Sequence, residues 1–267
     1  MSQANAAFVG SIPGIYEKYM GPVFMTPSAR DLASRFAVKP GADVLELACG
    51  TGILTRELVS PSRPAVALMA TDLNEPMLDT AKALVRDRAV SWRVVDATSL
   101  PFADASYDAV VCQYGVMFFP DKVKAAREAR RVLRPGGQFV FNVWGTLAEN
   151  RPSLITHETL ARFFAEGPPP FMMVPFGYND REQIQADLRA GGFSSMRMET
   201  VDFEGRAPSA AFVATGMTQG TPLAIEIRER ASAPLEAVTA AVADALAREF
   251  GAGEVRLPLR SHVITAT

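Results

Sequence analysis

The sequence predicts an α/β fold with a doubly wound, mostly parallel sheet. Strand-like and helix-like segments alternate over roughly a hundred residues, which is the pattern of βαβ units. The strand-like segments are near-continuous apolar runs, as expected of parallel strands covered on both faces. The first of them leads through a glycine-rich turn, CGTG, directly into a helix-type segment. In α/β folds such a turn holds an adenosine-containing ligand.

Five strands and three helices account for the regular central part of the chain. The third helix carries both end signals, because Pro120-Asp121 opens it and Gly136-Gly137 follows its end. The strands are expected at 43–48, 65–71, 90–95, 107–113 and 137–144, and the helices at about 53–60, 74–87 and 121–133.

The remaining sequence is less regular, and we expect it to add two strands and several helices. The expected elements are a helix starting near Pro27, one helical stretch and a proline- and aromatic-rich loop within 146–179, a helix over 180–192, a strand over 193–203, helices over 207–250 and a strand over 255–267. This arrangement predicts one domain over 1–267 on a seven-stranded sheet. Its cofactor-binding core would be about 27–145, with helical lid insertions at about 1–26, 146–179 and 207–250.

Composition excludes several classes of protein. With 48% hydrophobic residues, 21% charged residues and a net charge of −2, the chain lacks the clustered basic excess of a nucleic-acid-binding protein. No apolar run approaches the roughly 18 residues of a membrane span. The first cation is Lys18, and Gly10, Pro13 and Gly14 interrupt the apolar residues before it, so a signal peptide is not indicated. We expect a cytoplasmic protein.

The chain has two cysteines, Cys49 and Cys112, each near the end of a predicted strand. Buried, reduced thiols are expected, and a redox link between the two strands is the alternative.

The residues around the glycine-rich turn discriminate between adenosine ligands. A dinucleotide site needs G-x-G-x-x-G or G-x-G-x-x-A, but Thr55 stands at the third position of that pattern. A phosphate-binding P-loop is excluded because no Gly-Lys-Ser/Thr follows. The remaining motif is E-x-A-x-G-x-G, which begins at Glu46.

This motif resembles the first motif of the class I S-adenosylmethionine-dependent methyltransferases, E/D-x-G-x-G-x-G. Further segments match in order: Asp72 ends the second strand, Asp96-Ala97 ends the third, and 100–119 and 131–137 resemble the family's fourth-strand block and its turn into the fifth strand. The resemblance covers about residues 40–145. The whole-chain pattern is most similar to the ubiquinone/menaquinone-biosynthesis type, a group that methylates many small molecules.

The resemblance implies a Rossmann-like fold, S-adenosyl-L-methionine as the cofactor, and roles for individual residues. Glu46 would accept hydrogen bonds near the amino group of the cofactor. Asp72 would bind the ribose hydroxyls, and Asp96 would read the adenine amino group. Gly50 and Gly52 would let the backbone approach the methionine portion closely.

Other residues of the expected site have an alternative interpretation or a condition attached. Leu73 and Met77 would pack on the adenine faces, unless they belong to the helix core. Ala48 stands where the family has glycine, and alanine fits there if its backbone φ is negative. The expected cofactor-binding residues are Tyr16, Glu46, Ala48, Cys49, Gly50, Gly52, Asp72, Leu73, Met77, Asp96, Ala97 and Gln113.

The acceptor side is less well defined. Methyl transfer from a sulfonium is an in-line displacement, so the protein must mainly align donor and nucleophile. A base is needed only when the acceptor first loses a proton, and His157 is the candidate. A surface or structural histidine is the alternative for His157, as it is for His262.

Aromatic and methionine side chains predominate among the candidate acceptor residues, which favours an apolar, aromatic or lipid-like acceptor. The alternative is that these side chains seat the lid on the sheet. They are Gln113, Tyr114, Met117, Trp144, Tyr16, Tyr19, Phe163, Phe164, Phe171, Met172, Met173 and Phe176.

We therefore expect methyl transfer to a small molecule, with no nucleic-acid partner and with a homodimer as an open alternative. No carboxylate cluster has metal-ligand spacing, so no metal is expected. One competing hypothesis is a nicotinamide-dependent oxidoreductase, against which Thr55 argues. The other is a cofactor-binding regulatory subunit without turnover, which the intact acids and glycines of the motif argue against.

Overall fold

The structure is a computed structural model that describes residues 8–36, 38–87 and 89–267. Within these residues, seven strands form one sheet. The strands are β1 (Ala42–Glu46), β2 (Val66–Asp72), β3 (Val90–Val94), β4 (Tyr107–Gln113), β5 (Leu133–Trp144), β6 (Met196–Ala207) and β7 (Val255–Ala266). Their spatial order is β3-β2-β1-β4-β5-β7-β6.

The sheet is mostly parallel, which confirms the predicted fold class. Strand β1 pairs in parallel with both β2 and β4, and the pairs β2–β3 and β4–β5 are also parallel. Strand β7 is antiparallel to β5, with Ser261 opposite Trp144. The strand order reverses at β1 and β4, and ligands of open α/β sheets bind beyond the carboxyl ends of the strands at such a point.

The central strands are covered on both faces, as their apolar sequences predict. Val44 and Leu45 on β1 are fully buried, and so are all four residues from Ala109 to Cys112 on β4. Strand β5 begins at Leu133, earlier than the expected residue 137, because Leu133 already pairs with Tyr107 ahead of a register shift in β4.

The helices start where the sequence signals place them. The Asp121 side chain accepts a hydrogen bond from the amide of Lys124, and the Asp180 side chain accepts from two amides of the first turn that follows it. The helices are α1 (Ile12–Ile15), α2 (Thr26–Arg35), α3 (Ile53–Leu58), α4 (Glu75–Leu84), α5 (Lys122–Val132), α6 (Arg151–Leu160), α7 (Arg181–Ala190), α8 (Ala210–Gln219), α9 (Leu223–Arg230) and α10 (Leu235–Phe250). A π-helix over Tyr16–Met25 leads directly into α2. Over the described ranges, no helix combines the length and the apolar character needed to cross a membrane.

The chain groups into two compact units. The sheet unit comprises Ala29–Trp144, Tyr178–Val201 and Ser261–Thr267, and it contains the glycine turn. The helical unit comprises the residues up to Ser28 together with Gly145–Gly177 and Asp202–Arg260. The expectation of a single domain over the whole chain stays a prediction.

Close packing of α5 against α7 requires glycine at position 191. A Cβ built on Gly191 would lie 2.5 Å from the Cβ of Ala126, with two further backbone atoms at 3.0 and 3.1 Å. We expect Gly191→Ala to lower the free energy of unfolding by about 1–3 kcal/mol, because overpacking forces the two helices apart. Chemical denaturation measures this change. Gly253→Ala is the matched control, since a Cβ there meets no atom within 4 Å; equal effects of the two substitutions would contradict the packing.

Candidate functional site

The glycine turn connects the carboxyl end of β1 to the start of α3 through three left-handed residues. The backbone φ values are +51° at Ala48, +57° at Gly50 and +80° at Gly52. The amide of Leu47 donates to the carbonyl of Val111 on β4 at 2.9 Å. The turn therefore begins as an extension of the sheet and leaves it through a backbone conformation that glycine favours.

The condition stated for alanine at position 48, a negative backbone φ, is not met, because the φ of Ala48 is positive. The neighbouring amides impose this conformation, since Leu47 is held by β4 while the amide of Cys49 donates to Thr71 on β2 at 2.9 Å. The chain must therefore turn at residue 48. A left-handed conformation costs a non-glycine residue about 1–2 kcal/mol. The methyl group of Ala48 occupies space beside Gly115, where an added Cβ would meet it at 2.6 Å.

The two glycines of the turn have different surroundings. A Cβ on Gly50 would lie 3.5 Å from the terminal methyl of Met77, an ordinary contact. A Cβ on Gly52 would lie 3.1 Å from Ala81 and 3.2 Å from Val85. Side chains of α4 and of the residue that follows it therefore fill the space beside Gly52. Close packing beside α4 is thus a reason for glycine at position 52 that the sequence did not indicate. Access for the cofactor stays a prediction for both glycines.

Asp72, the last residue of β2, binds the turn directly. Its Oδ2 accepts a hydrogen bond from the amide of Gly50 and its Oδ1 accepts one from the amide of Asn74, both at 2.8 Å. Burial raises the pKa of this carboxyl, while the two amide hydrogen bonds act in the opposite direction. The hydrogen bond to Gly50 was not expected, whereas the bond from Asp72 to the amide two residues further on is typical of Asp in turns. The ribose role of Asp72 stays a prediction.

Glu46 is buried at the end of β1 with one oxygen unsatisfied. The residue is 1% exposed, and its Oε2 accepts a hydrogen bond from the hydroxyl of Thr55 at 2.7 Å. Its Oε1 has no hydrogen-bond partner among the described residues. Burial raises the pKa of Glu46 to about 8. Because buried polar atoms normally have partners, the free oxygen indicates a position for a donor from a ligand or a water molecule.

The carboxyl end of β3 supplies a third acid at the same edge of the sheet. Asp96 is exposed, and its Oδ1 accepts hydrogen bonds from the amide and the hydroxyl of Thr98, both at 2.8 Å. Ala97 is buried. Leu73, directly after β2, is 59% exposed, which leaves an apolar side chain available to an aromatic ligand. Met77 is buried, as the helix-core alternative requires.

An unusual tyrosine follows the carboxyl end of β4. Tyr114 has a φ of +49°, and its amide donates to Oδ1 of Asn142 at 2.9 Å. Its ring stacks on Trp144 with 3.9 Å between the centroids and 5° between the planes. Its hydroxyl is 2.5 Å from the hydroxyl of Ser261 on β7. No signal in the sequence pointed to Asn142 or Ser261, because pairing across the sheet brings them to Tyr114.

Two other expected residues lie near this end of β4. Gln113 is the last residue of the strand, is half-buried and pairs with Asn142 on β5. Met117 is buried in the short 3-10 helix that follows, Val116–Phe118.

The remaining candidate residues belong to the helical unit. Tyr16 and Tyr19 lie in the π-helix, and the ring of Tyr19 packs on Phe212 at 4.6 Å. His157 lies on α6, and its Nδ1 is buried without a hydrogen-bond partner among the described residues; burial also lowers the pKa of this histidine. Phe163 is half-buried, Met173 is 51% exposed, and four residues are buried: Phe164, Phe171, Met172 and Phe176. Their roles toward an acceptor stay predictions.

The second histidine and the two cysteines have structural surroundings. The Nδ1 of His262 is 3.0 Å from the hydroxyl of Thr200, as the structural alternative predicts. Cys49 and Cys112 are free and buried, and burial raises the pKa of both thiols. Across the part of the chain that the structure describes, no three or more His, Cys, Asp or Glu side chains are grouped to hold a metal ion.

The contact between positions 48 and 115 can be tested by a pair of substitutions. Gly115→Ala would place a Cβ 2.6 Å from both the Ala48 methyl and the sulfur of Cys112. We expect a loss of about 1–3 kcal/mol in the free energy of unfolding, because this region is closely packed. Ala48→Gly should restore part of that loss, since it removes one of the two clashes. Urea denaturation of both single variants and the double variant measures the coupling, and additive effects would contradict the contact.

Burial of Glu46 predicts a specific pH dependence of stability. The pKa of this carboxyl rises from 4.5 to about 8 on folding, so the folded protein holds the proton more tightly. The resulting stabilisation is present in full below pH 4.5 and is lost as the pH rises through 8. In that window the unfolding free energy of the wild type should fall relative to Glu46→Gln by up to about 1.4 kcal/mol per pH unit. Denaturation at several pH values measures the slope, and Glu254→Gln, at an exposed loop residue, is the control. Parallel curves for wild type and Glu46→Gln would exclude this titration.

The segment that carries the glycine turn matches a known family. The family model of the Methyltransferase domain matches residues 45–141, which include the turn and strands β2 to β4. A demethylmenaquinone methyltransferase from Corynebacterium efficiens is 30% identical over 185 residues, which cover 65% of this chain and 77% of that protein. A ubiquinone/menaquinone biosynthesis C-methyltransferase from Ectopseudomonas mendocina is 36% identical over 107 residues, covering 39% of this chain but only 42% of its own length.

Solved structures share the fold at low sequence identity. A methyltransferase-like protein from Bacillus halodurans has a TM-score of 0.58 and 19% identity, with 90% of this chain and 98% of that chain covered. A phosphoethanolamine N-methyltransferase from Haemonchus contortus, solved with S-adenosylhomocysteine, has a TM-score of 0.61 and 18% identity, with 96% and 56% covered. These likenesses confirm the Rossmann-like fold. The Corynebacterium efficiens relative and the matching family model show that this chain belongs to the class I S-adenosylmethionine-dependent methyltransferases.

Proposed function

We propose that this methyltransferase acts on a small, uncharged aromatic acceptor of the hydroquinone or phenol class. The observation that carries the proposal is the uncharged, largely apolar segment that follows β4. Residues 114–119, YGVMFF, contain no charged side chain, and the first of them stacks face to face on Trp144. Acceptor candidates lie beyond the carboxyl ends of the strands, and an apolar, aromatic lining there suits an uncharged ring.

The cofactor half of the proposed site lies at the ends of the three strands on the other side of β4. Glu46, Asp72 and Asp96 end or follow β1, β2 and β3, and the glycine turn lies between the first two acids. The Oε1 of Glu46, for which the described residues provide no partner, fits an ammonium group, and exposed Leu73 fits the face of a purine. S-adenosylmethionine supplies an electrophilic methyl group on a sulfonium. We assign Glu46 to its amino-acid portion, and Asp72, Asp96 and Leu73 to its adenosine.

The contribution of the protein to the reaction is alignment. The new bond forms between the acceptor atom and the methyl carbon while the sulfur–methyl bond breaks, and the acceptor loses a proton to restore neutrality. Holding the reactants in line supplies much of the rate enhancement of such a displacement. We assign Tyr114 to the alignment of the acceptor. Its position is fixed, because its backbone amide donates to Asn142 and its hydroxyl is hydrogen-bonded to Ser261.

The names of the relatives support the same acceptor class. The Corynebacterium efficiens protein is a demethylmenaquinone methyltransferase, and the Ectopseudomonas mendocina protein serves ubiquinone and menaquinone biosynthesis. Both names describe quinone-type substrates. The uncharged segment beyond β4, with its aromatic side chains, suits such a ring.

An acceptor screen tests the proposal. Purified protein is incubated with S-adenosylmethionine and one acceptor at a time, and formation of S-adenosylhomocysteine is followed. The panel contains short-chain naphthoquinols and benzoquinols, simple phenols, medium-chain fatty acids and phosphoethanolamine. We expect turnover with the quinols or phenols and none with phosphoethanolamine, because the segment 114–119 offers no charged side chain to bind its phosphate or its ammonium group.

Trp144 provides the matched variants for this screen. Trp144→Leu should lower kcat/KM for the aromatic acceptor by up to about tenfold, because it removes the stacked partner that holds the ring of Tyr114, and such a pair contributes about 0.5–1.5 kcal/mol beyond its buried area. Trp144→Phe keeps an aromatic face and should lose less. Unchanged affinity for S-adenosylhomocysteine shows that both variants remain folded. Turnover of phosphoethanolamine alone would overturn the acceptor class, and cofactor binding without turnover of any acceptor would favour a regulatory subunit.

A further inference from the structure

Resting on the proposed cofactor site, we propose that Thr55 is a positioning residue for Glu46, and that binding of the cofactor's ammonium group at this pair expels a proton from Glu46. The proposal concerns a hydroxyl on α3 and a carboxyl at the end of β1. Binding of the methyl donor to the ligand-free protein is then coupled to the release of one proton.

The geometry of the pair is specific. Thr55 is fully buried, and its hydroxyl donates to Oε2 of Glu46 at 2.7 Å. With one oxygen held, the rotation of the carboxyl is fixed and Oε1 is directed to a site where the described residues provide no donor. An unsatisfied buried acceptor costs about 1–3 kcal/mol, so a ligand donor placed there gains that energy. An ammonium group supplies both the donor and the charge that a carboxylate prefers.

The electrostatic surroundings of Glu46 favour a proton on the free carboxyl. Burial is the largest influence, and Asp72 on β2 adds to it. Arg56 on α3 and the hydrogen bonds from Thr55 act in the opposite direction. Cys49 in the turn and Cys112 on β4 also face Glu46, but the raised pKa of each thiol keeps them uncharged. The net pKa of about 8 leaves Glu46 protonated at neutral pH.

The direction of the coupling follows from these charges. A cation beside Oε1 favours the carboxylate, so ligand binding lowers the pKa of Glu46 and the carboxyl proton leaves to the solvent. The ammonium group keeps its own charge. Affinity for ligands that carry the ammonium group therefore rises with pH up to about 8 and then levels off, with at most about a tenfold gain per pH unit for one proton.

Two ligands separate this inference from the proposed function. S-adenosylhomocysteine carries the ammonium group, whereas 5′-methylthioadenosine has the same nucleoside and thioether without the amino-acid portion. Titration calorimetry at pH 7 in buffers of different ionisation enthalpy counts the protons released on binding. We expect S-adenosylhomocysteine to release roughly one proton and methylthioadenosine to release none. Glu46→Gln should abolish the release.

Variants at position 55 test the positioning role. Thr55→Val keeps the shape but loses the donor, so we expect about a tenfold loss of affinity for S-adenosylhomocysteine at pH 7, within the range of a charge-assisted hydrogen bond. The pH at which the affinity levels off should also rise, because the hydrogen bonds from Thr55 lower the pKa of Glu46. Affinity for methylthioadenosine should stay unchanged. Thr55→Ser keeps the hydroxyl and should restore both the affinity and the pH profile.

Each remaining outcome has a distinct meaning. If neither ligand binds wild-type protein, the proposed cofactor site itself fails. If both bind but no proton is released, the coupling is wrong while the cofactor site stands. If Thr55→Val weakens both ligands equally, Thr55 only supports the fold of the turn, and its positioning role is overturned.

Discussion

The hydrogen bonds that Asp72 makes to the turn are the constraint on which the rest of the site depends. One carboxylate at the end of β2 holds the amide of Gly50 and the amide of Asn74. It thereby joins the turn after β1 to the start of the segment leading into α4. Removing this side chain leaves two amides in a partly buried region without their acceptor, which costs more than the loss of an exposed contact. Asp72 therefore has a structural role in the turn that does not depend on a ligand.

Buried acids close to each other give the site its chemical character. Glu46 and Asp72 lie at adjacent strand ends, burial raises the pKa of both carboxyls, and the charge of Asp72 raises that of Glu46 further. Such an arrangement disfavours the ligand-free, fully ionised state and favours a state in which a cation is present. A positively charged methyl donor bound at the proposed cofactor site would therefore complement these acids in charge. The segment 114–119 that follows β4 contains no charged residue and so provides no comparable field.

The sheet and the turn were predictable from the sequence, because both depend on local patterns. Apolar runs, a glycine pair and acids at strand ends are visible without knowledge of the fold. The contacts between distant segments could not be predicted in this way. Residue 114 meets Ser261 only because β7 pairs with β5, and the positive φ of Ala48 arises only because two different strands hold its neighbours. The hydrogen bond from Thr55 to Glu46 joins a helix to the end of a strand. The sequence alone shows only that Thr55 does not match the third position of the dinucleotide-binding pattern.

The contact between positions 48 and 115 limits how the chain can change over time. The space there accommodates a single methyl group, which Ala48 supplies and Gly115 leaves open. A Cβ at position 115 would also meet the sulfur of Cys112 at 2.6 Å, so glycine at position 48 does not by itself make room for alanine at position 115. Two neighbours therefore constrain position 115, one 67 residues away in the sequence and one three residues away, and a larger side chain there requires both of them to change.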